Sequence, residues 1–168
     1  MTTTTAPPTQ TYYLFIRATP QQIWDALTQP EHSAAYLFGA LVETTGEVGT
    51  PFRYHSPDRT TLWGDDTVLD ADPPHRLIVT YRGLYNPDLA IEPESRVTWR
   101  IEPDEPGVCL LTVVHDHLEH APKTAERVAG TGWMRVLSGL KTLLETGDAL
   151  SAVSGTVSEG RVRTSPSR

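Results

Sequence analysis

The sequence predicts an α+β fold in which a curved antiparallel sheet packs against one long C-terminal helix. A single strand-patterned segment and two short helix-patterned ones open the chain. About six short strand-like runs follow without interruption, and an amphipathic helical stretch closes it. A sheet with one apolar face and a helix with one apolar stripe each bury that surface by packing together.

TYYLFIRA (11–18) alternates, with Tyr12, Leu14 and Ile16 on one face and Arg17 marking the solvent side. Thr19 and Pro20 read as the N-cap and first helical residue of a segment in which Ile23, Trp24 and Leu27 share an apolar face. Pro30 ends that helix and opens a second short one, EHSAAYLF. Strand patterning then runs through LVETT, PFRYH, WGDDTVLDA, RLIVTYR, SRVTWRIEP and VCLLTVVHDHL. The clusters GEVG (46–49), DADPPH (70–75) and PDEPG (103–107) are suited to turns between them, and this regular spacing predicts a meander. In GWMRVLSGLKTLLET (132–146) Trp133, Val136, Leu137, Leu140, Leu143 and Leu144 form one helical stripe, and Gly147 is a natural stop. An earlier start near Pro122, with a break around Gly130 and Gly132, fits the same pattern.

A length of 168 residues favours one domain with a true core. Residues 1–10 and 151–168 are rich in Thr, Ser, Pro and Gly and lack periodicity, so both are expected to be flexible tails around a folded unit at 11–150. Fourteen Lys+Arg against 21 Asp+Glu give a net charge of −7, which repels phosphate backbones and argues against nucleic acid as a partner. The single Cys109 permits no internal disulfide and reads as a small core residue. No segment has the pattern of a signal peptide or the length of a membrane span, so the expectation is a cytoplasmic protein without a membrane partner.

ATPQQIWDALTQPE (18–31), DPPHRL (72–77), RVTWRIEP (96–103), LTVVHD (111–116) and above all GWMRVLSGLKTLLETG (132–147) resemble the SRPBCC superfamily. Within it, the likeness is to the bacterial branch similar to the C-terminal domain of the heat-shock-protein-90 ATPase activator. This resemblance implies the helix-grip fold of START lipid-transfer domains and the birch-pollen allergen. There a sheet of about seven strands grips the C-terminal helix and leaves a cavity for a hydrophobic ligand. The superfamily holds lipid carriers, aromatase/cyclases, ring-hydroxylase subunits, self-resistance proteins and co-chaperone domains, and a shared fold does not choose among them.

A cavity needs a lining, and the strand faces supply one. Val97, Trp99 and Ile101 share a face, as do Leu77, Val79 and Tyr81, and again Leu111, Val113 and His115. The expected ligand-binding set is Phe52, Tyr54, Trp63, Tyr81, Trp99, His115, Trp133, Leu137 and Leu140. The competing expectation is that these residues simply fill a close-packed core.

In VVHDHLEH (113–120), His115 and His117 point to one face of a strand roughly 7 Å apart, a spacing two zinc ligands can use. His117 falls where the strand ends, His120 has no fixed direction and no further ligand stands at a partner spacing, so neither metal nor cofactor is expected. His115 alone has three open roles: contacting a ligand, acting as an acid/base, or serving as a core histidine bonded to Tyr54, Tyr81 or a backbone carbonyl. Asp65 and Asp66 face opposite ways and form no dyad; both are expected near an edge, solvated, or else the inward one pairs with Arg53, Arg82 or Arg100. The long segment 83–95, GLYNPDLAIEPES, suits a lid or a homodimer contact.

Three functions follow. The leading one is binding, carriage or sequestration of a small hydrophobic or aromatic molecule. The second is a cyclase, dehydratase or hydrolase on a polyketide-like substrate with His115 as acid/base. The third is a chaperone-interaction module, for which only about ten polar residues precede the first strand, leaving no counterpart to the eukaryotic activator's N-terminal domain.

Overall fold

The computed structural model describes residues 6–151. Its elements are β1 (Gln10–Ile16), α1 (Pro20–Thr28), α2 (Pro30–Tyr36), β2 (Leu41–Thr44), β3 (Pro51–His55), β4 (Leu62–Asp72), β5 (Arg76–Tyr81), α3 (Pro87–Ala90), β6 (Ser95–Pro103), β7 (Cys109–Asp116), α4 (Pro122–Val128) and α5 (Thr131–Thr146). All seven strands form one antiparallel sheet in the order β1-β7-β6-β5-β4-β3-β2. β2 to β7 thus form a meander, and β1 closes onto the last strand.

Residues paired across strands share a face, so the register shows which face is apolar. One line of pairs runs Tyr12, Val113, Trp99, Leu77, and the next runs Gln10, His115, Val97, Val79, Val68. This face and the buried side of α1, α2 and α5 enclose the core. The outer face carries exposed Tyr13 and Phe15. β4 is long because it serves two neighbours: Leu62–Thr67 pairs with β3 and Val68–Asp72 with β5. Where the strands part, the Thr67 amide donates to the Thr80 hydroxyl at 3.0 Å instead of to a ladder carbonyl.

The local signals act as their chemistry requires. Thr19 accepts from the Gln22 amide at 3.1 Å while the Gln22 side chain accepts from the Thr19 amide at 2.9 Å, a complete capping box. Gly147 takes the left-handed conformation at φ 81° and donates to Leu143 O at 2.8 Å. At Gly139 α5 meets α2 so closely that an added Cβ would stand 3.2 Å from the Tyr36 Cβ. Cys109 is buried and its thiol donates to Ala18 O at 3.3 Å.

Two expectations need amending here. α3 forms inside the segment 83–95, where no helical period is visible; Asn86 caps it and Pro87 starts it. Gln10, assigned to the N-terminal tail, is buried and opens β1, because its side-chain amide donates to Ala125 O at 2.9 Å and so carries its polarity into the interior. Nearby, Ala6 packs on Leu118, Ala121 and Ala125. The tail residues 1–5 and 152–168 lie outside the described residues. Among the described residues no helix is long and apolar enough to cross a membrane.

Candidate functional site

A cleft of about 720 Å³ opens between the inner face of the sheet, the corner from α2 to β2, and the α4–α5 junction. Phe52 and Tyr54 come from β3, Trp63 from β4, Tyr81 from β5, Trp99 from β6, His115 from β7 and Trp133 from α5, and all seven line it. Leu137 and Leu140 do not. They lie on the stripe of Trp133 but one and two turns further along α5, where the helix packs on α1, α2 and β1, and both are buried in the core. Helical periodicity identifies a face; it does not say where along that face a cavity stops.

The cleft has residues that the strand patterns could not point to: Tyr36, Leu37 and Phe38 on one side, Tyr85 from the 83–95 segment, and Arg127, Val128, Arg135 and Val136 from α4 and α5. Its depth is set by the contrast between His115, fully buried, and Phe38, 68% exposed at the rim. Phe38 adopts φ 55° and Gly39 φ 85°. A large aromatic at positive φ is strained, and the pair turns the chain sharply between α2 and β2 while leaving the ring at the mouth.

His115 sits at the centre of a closed hydrogen-bond chain. The Trp133 indole N–H donates to its Nδ1 at 3.1 Å. An indole can only donate, so Nδ1 is the acceptor and the ring proton lies on Nε2. Nε2 then donates to Ser95 Oγ at 2.8 Å, and the Ser95 hydroxyl donates to Tyr81 O at 3.1 Å. The partners are thus Ser95 and Trp133, and not Tyr54, Tyr81 or a backbone carbonyl as the sequence suggested. Tyr81 meets the imidazole edge-on, with ring centroids 5.3 Å apart. Burial lowers the His115 pKa from 6.5 to about 4, with Asp116 pulling weakly the other way. Asp116 itself faces outward in a two-point pair with Arg96, at 2.9 and 2.6 Å.

This arrangement fixes a neutral imidazole. A Ser–His pair that activates a nucleophile needs the ring lone pair directed at the serine hydroxyl and an acceptor behind the other nitrogen. Here both are reversed: the lone pair is taken by Trp133, and the serine receives the ring proton.

His117 ends β7 at φ 58°. Among the described residues no group of three or more His, Cys, Asp or Glu is placed to hold a metal ion.

Asp65 and Asp66 are unlike each other. Asp65 is exposed and pairs with Arg53 at 3.0 Å. Asp66, expected to be solvated or paired with an arginine, is 2% exposed and accepts a 3.0 Å hydrogen bond from Thr80. It lies where β4 leaves β5, and the gap admits its carboxyl group. Burial pushes its pKa from 3.8 up to about 7, against the Thr80 hydrogen bond, which favours the charged form. A Cβ at neighbouring Gly64 would stand 2.7 Å from the Tyr54 ring and 3.1 Å from Asp66 Oδ2, so only glycine fits there.

The 83–95 segment is fastened to α4. The helix has no side-chain N-cap of its own, and Glu92 takes that place from a distance, accepting from the Lys123 amide at 3.0 Å and from the Thr124 amide and hydroxyl at 2.7 Å each. Glu92→Ala should cost about 1 kcal/mol. Hydrogen exchange should quicken in 83–95 and α4, with β6 and β7 unchanged.

A seven-stranded antiparallel sheet wrapped on a C-terminal helix, with a cleft between them, makes this a helix-grip protein. The chain belongs to the family of Activator of Hsp90 ATPase homolog 1-like proteins, whose model matches residues 17–145. No curated protein matches it. Among solved structures it is similar to PFC0360w, an HSP90 activator from Plasmodium falciparum, at 15% identity and TM-score 0.66 over 82% of this chain and 96% of that one. The Aha1 dimer from Colwellia psychrerythraea is similar at 18% identity and TM-score 0.64, over 83% and 97%. DynU16, a putative protein in the dynemicin biosynthetic locus, gives 18% and 0.63, with 85% of this chain covering 49% of that one. At these identities the likeness shows the fold.

Proposed function

We propose that this protein binds a small hydrophobic or aromatic molecule in the cleft and carries or sequesters it without transforming it. The observation that carries the reading is a cleft of about 720 Å³ walled by Trp63, Trp99 and Trp133 among other aromatics. Such a volume suits a drug-sized apolar ligand. The His115 chain supports binding over turnover, because it leaves the imidazole no free lone pair with which to take a proton. The location of DynU16 in a biosynthetic locus fits a small-molecule ligand.

Titration with a panel of apolar aromatics should give one-to-one binding, a change in tryptophan emission and a raised melting temperature. No shift with any member of a broad panel would sink the reading.

The family match favours a second one, a chaperone-interaction module, since PFC0360w is an HSP90 activator and the Colwellia Aha1 forms a dimer. Pull-down against heat-shock protein 90 separates the two: association that survives R127Q/R135Q and is indifferent to aromatic ligands would favour an interaction surface outside the cleft.

A further inference from the structure

The cleft carries ionic charge at one place. Of the side chains lining it, the two charged ones are Arg127 near the end of α4 and Arg135 near the start of α5. No carboxylate lines it, although the chain holds 21 Asp+Glu against 14 Lys+Arg. Both arginines are exposed, which sets them at the mouth, above the aromatic floor and the neutral His115.

Neither guanidinium meets an acid among the described residues. The sequence explains this. Three and four residues away along the helices, Arg127 has Lys123, Thr124, Gly130 and Thr131, and Arg135 has Thr131, Gly132, Ser138 and Gly139. Lys141, one stretch further along α5, does find Glu145 at 2.7 Å. Arg135 gives a single hydrogen bond to the Ser151 hydroxyl at 3.0 Å. The junction also sets their helices end to end. A Cβ at Gly132 would lie 2.7 Å from the Arg127 carbonyl oxygen, so the end of α4 rests directly on the first turn of α5. Both arginines therefore stand on one lip.

We propose that the ligand is an amphiphilic anion, with an apolar body in the cleft and one carboxylate or other oxyanion at the lip formed by Arg127 and Arg135. The proposal rests on the cleft being a ligand site. A guanidinium offers an oxyanion two parallel hydrogen bonds and offers a neutral apolar molecule none. At a solvated lip the anion keeps part of its hydration, so the pairing does not carry the full desolvation cost of a buried ion pair. A cationic amphiphile would meet two like charges.

Two fluorescent probes test this. 8-Anilinonaphthalene-1-sulfonate and N-phenyl-1-naphthylamine share an aromatic body and differ by the sulfonate. Each is titrated against the full chain and its R127Q/R135Q and R127K/R135K variants, following probe emission and tryptophan quenching. The preference for sulfonate over amine should fall about tenfold in R127Q/R135Q, roughly the value of one charge-assisted hydrogen bond. The amine affinity should stay unchanged, and R127K/R135K should recover part of the preference. An unchanged preference, or equal loss of both probes, overturns the anion assignment and leaves the cleft as an apolar site. If neither probe binds any form, the cleft reading fails and this inference with it.

Discussion

Between pH 4 and 6.5, Asp66→Asn should gain about 3 kcal/mol of stability relative to the parent as the pH rises. His115→Gln should do the opposite, losing about 3 kcal/mol relative to the parent over the same interval. The native protein holds two buried groups whose linkages oppose each other. His115 has its pKa lowered from 6.5 to about 4, so across that window the unfolded chain binds a proton that the folded one does not. Its contribution is complete above 6.5 and is lost as the pH falls toward 4. Asp66 has its pKa raised from 3.8 to about 7, so there the folded chain keeps a proton that the unfolded one releases. That contribution is complete below 3.8 and is lost as the pH rises through 7. The two slopes nearly cancel in the native chain, and each variant removes one of them. Denaturant unfolding at half-unit pH intervals, read as the difference from the parent, measures the effect. A flat difference for either variant would show that the group it replaces titrates normally in the fold.

Trp133→Ala should cost about 4 kcal/mol, and Trp133→Phe about 1–2 kcal/mol. The indole serves two purposes. Its rings pack against Trp99 at 5.5 Å and Tyr12 at 6.0 Å between centroids, which sets the large term. Its N–H is the donor that Nδ1 of His115 receives, and Phe keeps most of the packing while removing that donor. With Nδ1 free, the imidazole can bind a proton at higher pH than it does now, so Trp133→Phe should also move the His115 titration upward, visible by NMR. A double-mutant cycle with His115→Leu should return a coupling of about 1 kcal/mol. Zero coupling would mean that the indole stabilises the fold by packing alone.

Most of the architecture was legible because its signals are local. Thr19-Pro20, the alternation within each strand, the turn clusters and Gly147 all act within a few residues, and each appears where its chemistry puts it. The site was legible in its walls, since alternation assigns Phe52, Tyr54, Tyr81, Trp99 and His115 to one face. It was not legible where position depends on how elements meet. Nothing in the sequence distinguishes Asp65 from Asp66 until β4 parts from β5 and opens a gap for one of them. Ser95 and Trp133 become partners of His115 only when β6, β7 and α5 come together. Leu137 and Leu140 differ from Trp133 in distance along a helix, and Phe38 owes its place at the rim to a turn of positive φ that its residue type disfavours. Arg127 and Arg135 look like ordinary surface charges until the α4–α5 turn sets them on one lip.

Cys109 has a practical consequence. It is the single cysteine of the chain, buried on the inner face of β7, its thiol bonded to Ala18 O and its pKa raised by burial. An alkylating reagent therefore finds no target until β7 and the segment after β1 come apart. The rate at which the native protein takes up one label is a direct clock of that opening, available without any engineered residue, and ligands that close the cleft should slow it.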